Sequence, residues 1–200
     1  EEYDGSSWTE SGDLNTARDG WAGGIGTQTA ALCAGGAKPA NTAESEEYDG
    51  TSWAEGNDLN VARSSLAAGG SQTAGLLYGG EIAGSPNTSA ATEEYNGTSW
   101  TAGENMGAAR YRHGGCGSQT AAIAFGGRTY PAGDSAVAQV YDGTDWATTS
   151  SLSTARSQIM GFGVQTSAVA AGGYVAPTDT STTGIEEYTV AATARTVDTS

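Results

Sequence analysis

Residues 93–100 read Glu93-Glu94-Tyr95-Asn96-Gly97-Thr98-Ser99-Trp100, and nearly the same phrase stands at 1–8, at 46–53 and, as Gln139-Val140-Tyr141-Asp142-Gly143-Thr144-Asp145-Trp146, at 139–146. The tyrosines of this phrase fall at Tyr3, Tyr48, Tyr95, Tyr141 and Tyr188, spaced by 45, 47, 46 and 47 residues. Trp8, Trp53, Trp100 and Trp146 follow the first four tyrosines at five residues' distance. Three further landmarks keep the same phase. An Ala-Arg pair ends at Arg18, Arg63, Arg110 and Arg156, Gln-Thr recurs at Gln28, Gln72, Gln119 and Gln165, and Gly-Gly closes at Gly36, Gly80, Gly127 and Gly173. A fixed period of about 46 residues marks a repeat architecture. The units run approximately 18–62, 63–109, 110–155 and 156–200, with 1–17 as a partial unit, in a single domain spanning 1–200.

Each unit reads as four short strands. The first, as in Leu66-Ala67-Ala68-Gly69-Gly70, is built of Gly and small apolar residues. The second, as in Ala121-Ala122-Ile123-Ala124-Phe125, is apolar throughout, and the Gly-Ser-Gln-Thr or Gly-Thr-Gln-Thr between the two is short enough for a hairpin turn. The third strand ends at the tyrosine and the fourth carries the tryptophan. Asp4-Gly5, Asp49-Gly50, Asn96-Gly97 and Asp142-Gly143 between them suit the positive φ of a tight hairpin. No stretch carries the 3.6-residue period of an amphipathic helix. The chain is all-β.

Gly-Gly after the second strand, then Tyr-Asp-Gly-x-x-Trp, then an arginine before the next first strand resembles the kelch repeat, over essentially the whole chain. The resemblance implies a β-propeller of four four-stranded blades about a central axis, with a partial fifth unit at the termini. Gly-rich first strands suit such an axis, where backbones must approach closely. The phrases Gly26-Thr27-Gln28-Thr29-Ala30-Ala31 and Glu46–Trp53 also resemble kelch-like structural proteins of tailed phages of marine bacteria. That likeness implies a non-enzymatic component of a virion surface (tail fibre, spike or head decoration), with other virion proteins or a host surface glycan as partners and homo-oligomerisation compatible with it. A secreted bacterial surface kelch protein binding polysaccharide is the alternative; either would be extracellular or on the virion. Residues 1–11 supply third and fourth strands without first and second ones. The ring closes if the N-terminal tryptophan strand completes the last blade; otherwise the chain is part of a longer one.

Composition narrows the partners. Twenty-three Asp and Glu against 8 Lys and Arg give a net charge of −15. Such a surface repels phosphate backbones and anionic membranes, so nucleic acid and membrane surfaces are poor partners. No apolar run approaches the roughly 18 residues needed to cross a bilayer. The chain opens at Glu1 rather than Met, as a processed or truncated N-terminus would. With 31 Gly, 2 Phe and 2 Met, the core must rest on small residues, nine Tyr and five Trp. Cys33 and Cys116 occupy different repeat positions, read as small buried residues and are poorly placed for a disulfide.

Strand direction alternates, so the first-to-second and third-to-fourth turns share one face of the molecule and the remaining loops share the other. The second-to-third loops at 37–45, 81–92, 128–136 and 174–184 vary in length and chemistry. Recognition tends to live on such loops. Lys38, Arg128, Tyr130 and Tyr174 there break the repeat and are the candidate binding residues, the cations as local attractors on an acidic protein. The phase-locked Arg18, Arg63, Arg110 and Arg156 read as structural residues paired with carboxylates such as Glu47 and Glu94 or with carbonyls. Trp8, Trp53, Trp100 and Trp146 with Tyr48, Tyr95, Tyr141 and Tyr188 read as interblade packing. Glu46-Glu47, Glu93-Glu94 and Glu186-Glu187 point to opposite strand faces and read as outer-strand charges that discourage edge-to-edge aggregation. His113, the single histidine, reads as packed near an inner strand. No catalytic residue, metal set or cofactor motif stands out.

Overall fold

The computed structural model describes residues 1–19, 22–84, 87–177 and 180–190, and contains no helix among them. An N-terminal hairpin pairs β1 (Glu2–Tyr3) with β2 (Trp8–Thr9). Blade 1 follows as β3 (Gly23–Thr27), β4 (Ala30–Ala34), β5 (Ser45–Tyr48) and β6 (Trp53–Glu55), and blade 2 as β7 (Ala67–Ser71), β8 (Ala74–Tyr78), β9 (Thr92–Tyr95) and β10 (Trp100–Ala102). Blade 3 comprises β11 (Gly114–Ser118), β12 (Ala121–Phe125), a small loop hairpin of β13 (Arg128–Thr129) and β14 (Gly133–Asp134), then β15 (Ala138–Tyr141) and β16 (Trp146–Thr149). Blade 4 has β17 (Met160–Val164), β18 (Ser167–Ala171), a loop hairpin of β19 (Tyr174–Val175) and β20 (Thr180–Ser181), and β21 (Ile185–Thr189).

Each blade is an antiparallel meander in chain order, with three strands described in blade 4 and four in the others. The first strands β3, β7, β11 and β17 are innermost and pack side by side in that order. The fold is a four-bladed, all-β propeller. Ring closure by the N-terminal tryptophan strand does not occur among the described residues, because β2 pairs with β1 and β21 pairs only with β18.

Glycine in the first strands does two separate tasks. Gly69 lets the neighbouring blade approach: a Cβ there would lie 2.9 Å from the Gly117 carbonyl oxygen of blade 3. Gly70 and its repeat mates Gly26, Gly117 and Gly163 have φ between 106° and 119°, and a Cβ on Gly70 would sit 2.2 Å from the Ala74 carbonyl oxygen. Only glycine meets both demands. The strand runs one residue later than its composition suggests, Ala67–Ser71 rather than 66–70.

The third-to-fourth turns are four-residue loops, in which Asp49 Oδ1 accepts the backbone N–H groups of Thr51 and Ser52 at 2.9 Å each. Gly50 alone takes a positive φ, 91°, while the aspartate acts through its side chain. The flanking Tyr48 and Trp53 pair across the strands with ring centroids 5.1 Å apart, and the other three Tyr–Trp pairs do likewise.

Candidate functional site

The repeated arginines are tied down within their own blades. Arg63 Nη1 donates to the carbonyls of Gly79 and Ala91 at 3.2 and 2.7 Å, and Nη2 donates to Glu93 Oε1 at 2.5 Å. Arg18 meets Gly35, Glu44 and Glu46 in the same way, and Arg156 meets Gly184, Ala170 and Glu186. The partner is therefore the first glutamate of each pair, not Glu47 or Glu94 as expected. Glu46 and Glu93 are buried rather than edge charges; each also accepts backbone N–H groups from the segment before its arginine, Asn15 and Asn60 respectively. Burial of such a pair is tolerable only because every charge is met at close range. In the third unit Gln139 replaces the glutamate, 3.0 Å from Arg110, and burial without a facing carboxylate pushes Arg110 down to about 10.

The second glutamates of the first two pairs, Glu47 and Glu94, face the next blade. Tyr95 donates its hydroxyl to Glu47, and Tyr141 donates to Glu94 at 2.6 Å. Burial and the adjoining carboxylate both push these phenols well above their ordinary pKa. On the tight-turn face Gln72 Nε2 reaches back to the carbonyls of Ala31 and Tyr48 at 3.1 and 2.7 Å, and Gln119 reaches those of Gly75 and Tyr95. These glutamines hook each blade to the one before it. Their phase-locked place in a tight turn was the available signal. This face is occupied with holding blades together.

The opposite face is built differently. The residue after each arginine bridges to the first residue beyond Gly-Gly: Ser64 to Glu81, Tyr111 to Arg128 and Ser157 to Tyr174. The next residue, Ser65, Arg112 or Gln158, sits in the left-handed region at φ of 54°, 53° and 55°. Arg112 N donates to Ser65 O at 2.8 Å and Gln158 N to Arg112 O at 2.6 Å, stringing three blades together around the axis. Beside this string lies a cavity of about 280 Å³ reached from all four blades, through Ala22, Leu66, His113 and Ile159 among others. His113 is buried where Leu66 and Ile159 stand in neighbouring units. A Cβ on Gly79 would strike its ring, as one on Gly35 would strike Leu66. Burial, with the positive charges of Arg110 and Arg63, pushes its pKa down to about 3.

The variable loops rise from this face and lock to one another in pairs. Asn41 donates to the Glu81 carbonyl at 2.7 Å, and Ala176 N donates to Asp134 Oδ2 at 2.9 Å. The loop cations are not isolated attractors. Lys38 pairs with Glu44 at 2.6 Å and Arg128 with Asp134 at 3.0 Å, because each loop supplies its own carboxylate within six residues. Tyr130 stands out at the tip of the β13–β14 hairpin with 62% of its surface exposed, whereas Tyr174 is half-buried in β19. Lys38 lies on the first loop, while the third and fourth loops, joined through Asp134, carry Arg128, Tyr130 and Tyr174.

Cys33 and Cys116 are both free, and burial pushes the Cys116 thiol up to about 11. No cluster of three or more metal-ligating side chains occurs among the described residues. No protein-family model matches the chain, and no curated protein matches it.

Proposed function

We propose that this propeller is a non-enzymatic binding and structural module on the outside of a tailed-phage particle, with its variable-loop face presented to a host surface glycan. The observation that carries the reading is the division of labour between the two faces. Repeated glutamines commit one face to holding blades together, while the loops on the other differ from unit to unit and expose Tyr130. A rigid scaffold displaying variable loops is the arrangement by which recognition surfaces are usually built. The virion assignment rests on the resemblance of the phrases Gly26-Thr27-Gln28-Thr29-Ala30-Ala31 and Glu46–Trp53 to kelch-like proteins of tailed phages.

With Lys38 and Arg128 paired on their own loops and the chain at −15, a neutral hydroxyl-rich glycan suits this face better than an acidic one. Tyr130 offers rigid aromatic area for stacking at low entropic cost. The test is adsorption of purified protein to host cells and to a glycan array. Tyr130→Ala should weaken binding about tenfold, the effect of losing about 1.4 kcal/mol at an interface anchor. Thr98→Ala and Thr144→Ala, on the tight-turn face, should leave binding unchanged. Equal binding by all three variants, or none by the wild type, refutes the reading.

A further inference from the structure

The tryptophans of β10 and β16 pack against the blade before their own. Trp146 lies 5.0 Å from the Tyr78 ring, donates its indole N–H to Thr92 Oγ1 at 2.9 Å and joins the cluster of Leu76, Met106, Ala122, Ala124 and Tyr141. Trp100 has the matching place against Leu32, Ala34 and Leu59. At the interface of blades 3 and 4 the positions equivalent to Leu76, Tyr78, Thr92 and Met106 are Ile123, Phe125, Ala138 and Leu152. Those equivalent to Ala122, Ala124 and Tyr141 are Ala168, Ala170 and Tyr188. These seven residues line an apolar cleft. The repeat would put a tryptophan five residues after Tyr188, where the sequence has Thr193, and residues 189–200 contain neither Trp nor Asp-Gly. The cleft is a tryptophan seat without a tryptophan from its own unit.

The rest of that blade face is equally unpartnered among the described residues. Met160, Phe162, Val164 and Ile185 are 60%, 55%, 56% and 67% exposed. Their repeat positions lie on the side that faces the next blade in the other units: Cys116 matches Phe162, and its thiol reaches across to the Phe162 carbonyl oxygen at 3.3 Å. An exposed apolar surface of this kind is unusual on a monomer and marks an interface.

At the other end of the chain Trp8 is 67% exposed on β2. The β1–β2 hairpin stands against blade 1 as the outer half of a blade would. Tyr48 donates to Glu2, and Gln28 Nε2 donates to the Tyr3 carbonyl at 3.4 Å, as Tyr95 and Gln72 do with Glu47 and Tyr48 one unit later. Its hold on β1 is only two residue pairs long.

We propose that a second copy of this chain completes blade 4: its β2 exchanges the short β1 for the free edge of β21, and its Trp8 enters the Ile123–Phe125–Leu152 cleft. By the register of β15 with β16, Tyr188 would face Trp8 and Glu187 would face Thr9. Glu187 then takes the part of Glu2 for the incoming Tyr48. A second copy fits because blades 1 and 4 of one chain lack the inner-strand contact that joins the other blades, which leaves the faces of both open among the described residues. Within one chain the hairpin stays paired on itself and β21 pairs only with β18. Each copy has one donor strand and one acceptor cleft, so the contact is heterologous and assembles copies head to tail. This interface is independent of what the loop face binds.

Disulfide trapping tests it. Thr9→Cys and Glu187→Cys are placed in separate chains, each also carrying Cys33→Ala, and mixed under mild oxidation. A covalent heterodimer is expected, and adding Trp8→Ala to the first chain should cut its yield at least tenfold without harming the fold, since Trp8 is largely exposed. Phe162→Ser should abolish concentration-dependent association in sedimentation. Absence of an interchain product overturns the proposal. So does a chain carrying both cysteines that closes an internal disulfide at any dilution, which would give the cleft to the chain's own strand.

Discussion

His113 occupies a place that the other described units give to Leu66 and Ile159, and the cost of that choice depends on pH. Its folded pKa of about 3 lies below the ordinary 6.5, so the unfolded chain takes up the proton first as pH falls. Stability is full above 6.5 and drains between 6.5 and 3, by up to about 1.4 kcal/mol per pH unit. From pH 7 to pH 5, still above the carboxylate range, the loss should be about 2 kcal/mol. His113→Leu should flatten the profile in that interval, read from urea midpoints at the two pH values; an unchanged slope would mean that His113 is not the group titrating. The burial of this histidine was legible from its neighbours, Arg112 before it and Gly-Gly after. The choice between Glu46 and Glu47 as the arginine's partner was not. Strand alternation sends the two carboxylates to opposite faces, and only the packing of blades reveals which face holds the arginine.

At the scale of the strand and hairpin, the five-residue step from Tyr to Trp determined the outer hairpin, and the apolar run from Ala121 to Phe125 determined the second strand. What the spacing could not separate was four tryptophans that look alike in sequence. Their burial depends on what lies on the far side: Trp100 is 7% exposed against blade 1, Trp53 and Trp146 are half-buried, and Trp8 has no described residue beyond it. The expectation of uniform interblade packing is corrected accordingly. Trp100→Ala should cost about 3–5 kcal/mol, the range for truncating a buried aromatic. Trp53→Ala should cost less than half as much, since part of its ring stays in water in either state. Thermal unfolding of the two variants decides this; equal losses would place Trp53 in the core. The variable loops were located correctly as segments, but their chemistry was misread for the cations. Glu44 and Asp134 are ordinary acidic loop residues until the chain folds back to pair them with Lys38 and Arg128.

At the scale of the whole molecule, β3 packs on β7, β7 on β11 and β11 on β17, and no comparable contact joins β17 to β3 among the described residues. Blades 2 and 3 are thus flanked on both sides by inner strands, while blades 1 and 4 have one such neighbour each. Stability in a repeat array is approximately a sum of unit terms and nearest-neighbour terms. In the chain diluted below head-to-tail association, amide exchange among the blade strands should therefore be slowest in β8 and β12, whose central residues are fully buried, and fastest in β17 and β21. Hydrogen-exchange mass spectrometry resolves these peptides. Uniform protection would show instead that the blades unfold as one unit.

The arginine and glutamine bonds also have a genetic consequence. A segment from one arginine to the next contains that arginine's own partner, Glu46, Glu93, Glu186 or, in the third unit, Gln139, and among its bonds to the segment before it is a glutamine whose acceptors are backbone carbonyls. Backbone carbonyls are supplied by any unit, whatever its side chains. Recombination that inserts or deletes a whole segment therefore keeps each arginine with its own partner and each glutamine with backbone carbonyls to accept from it. Gene length can then drift in steps of one unit, with the loop sequences shuffled along the array while the joints between units stay compatible.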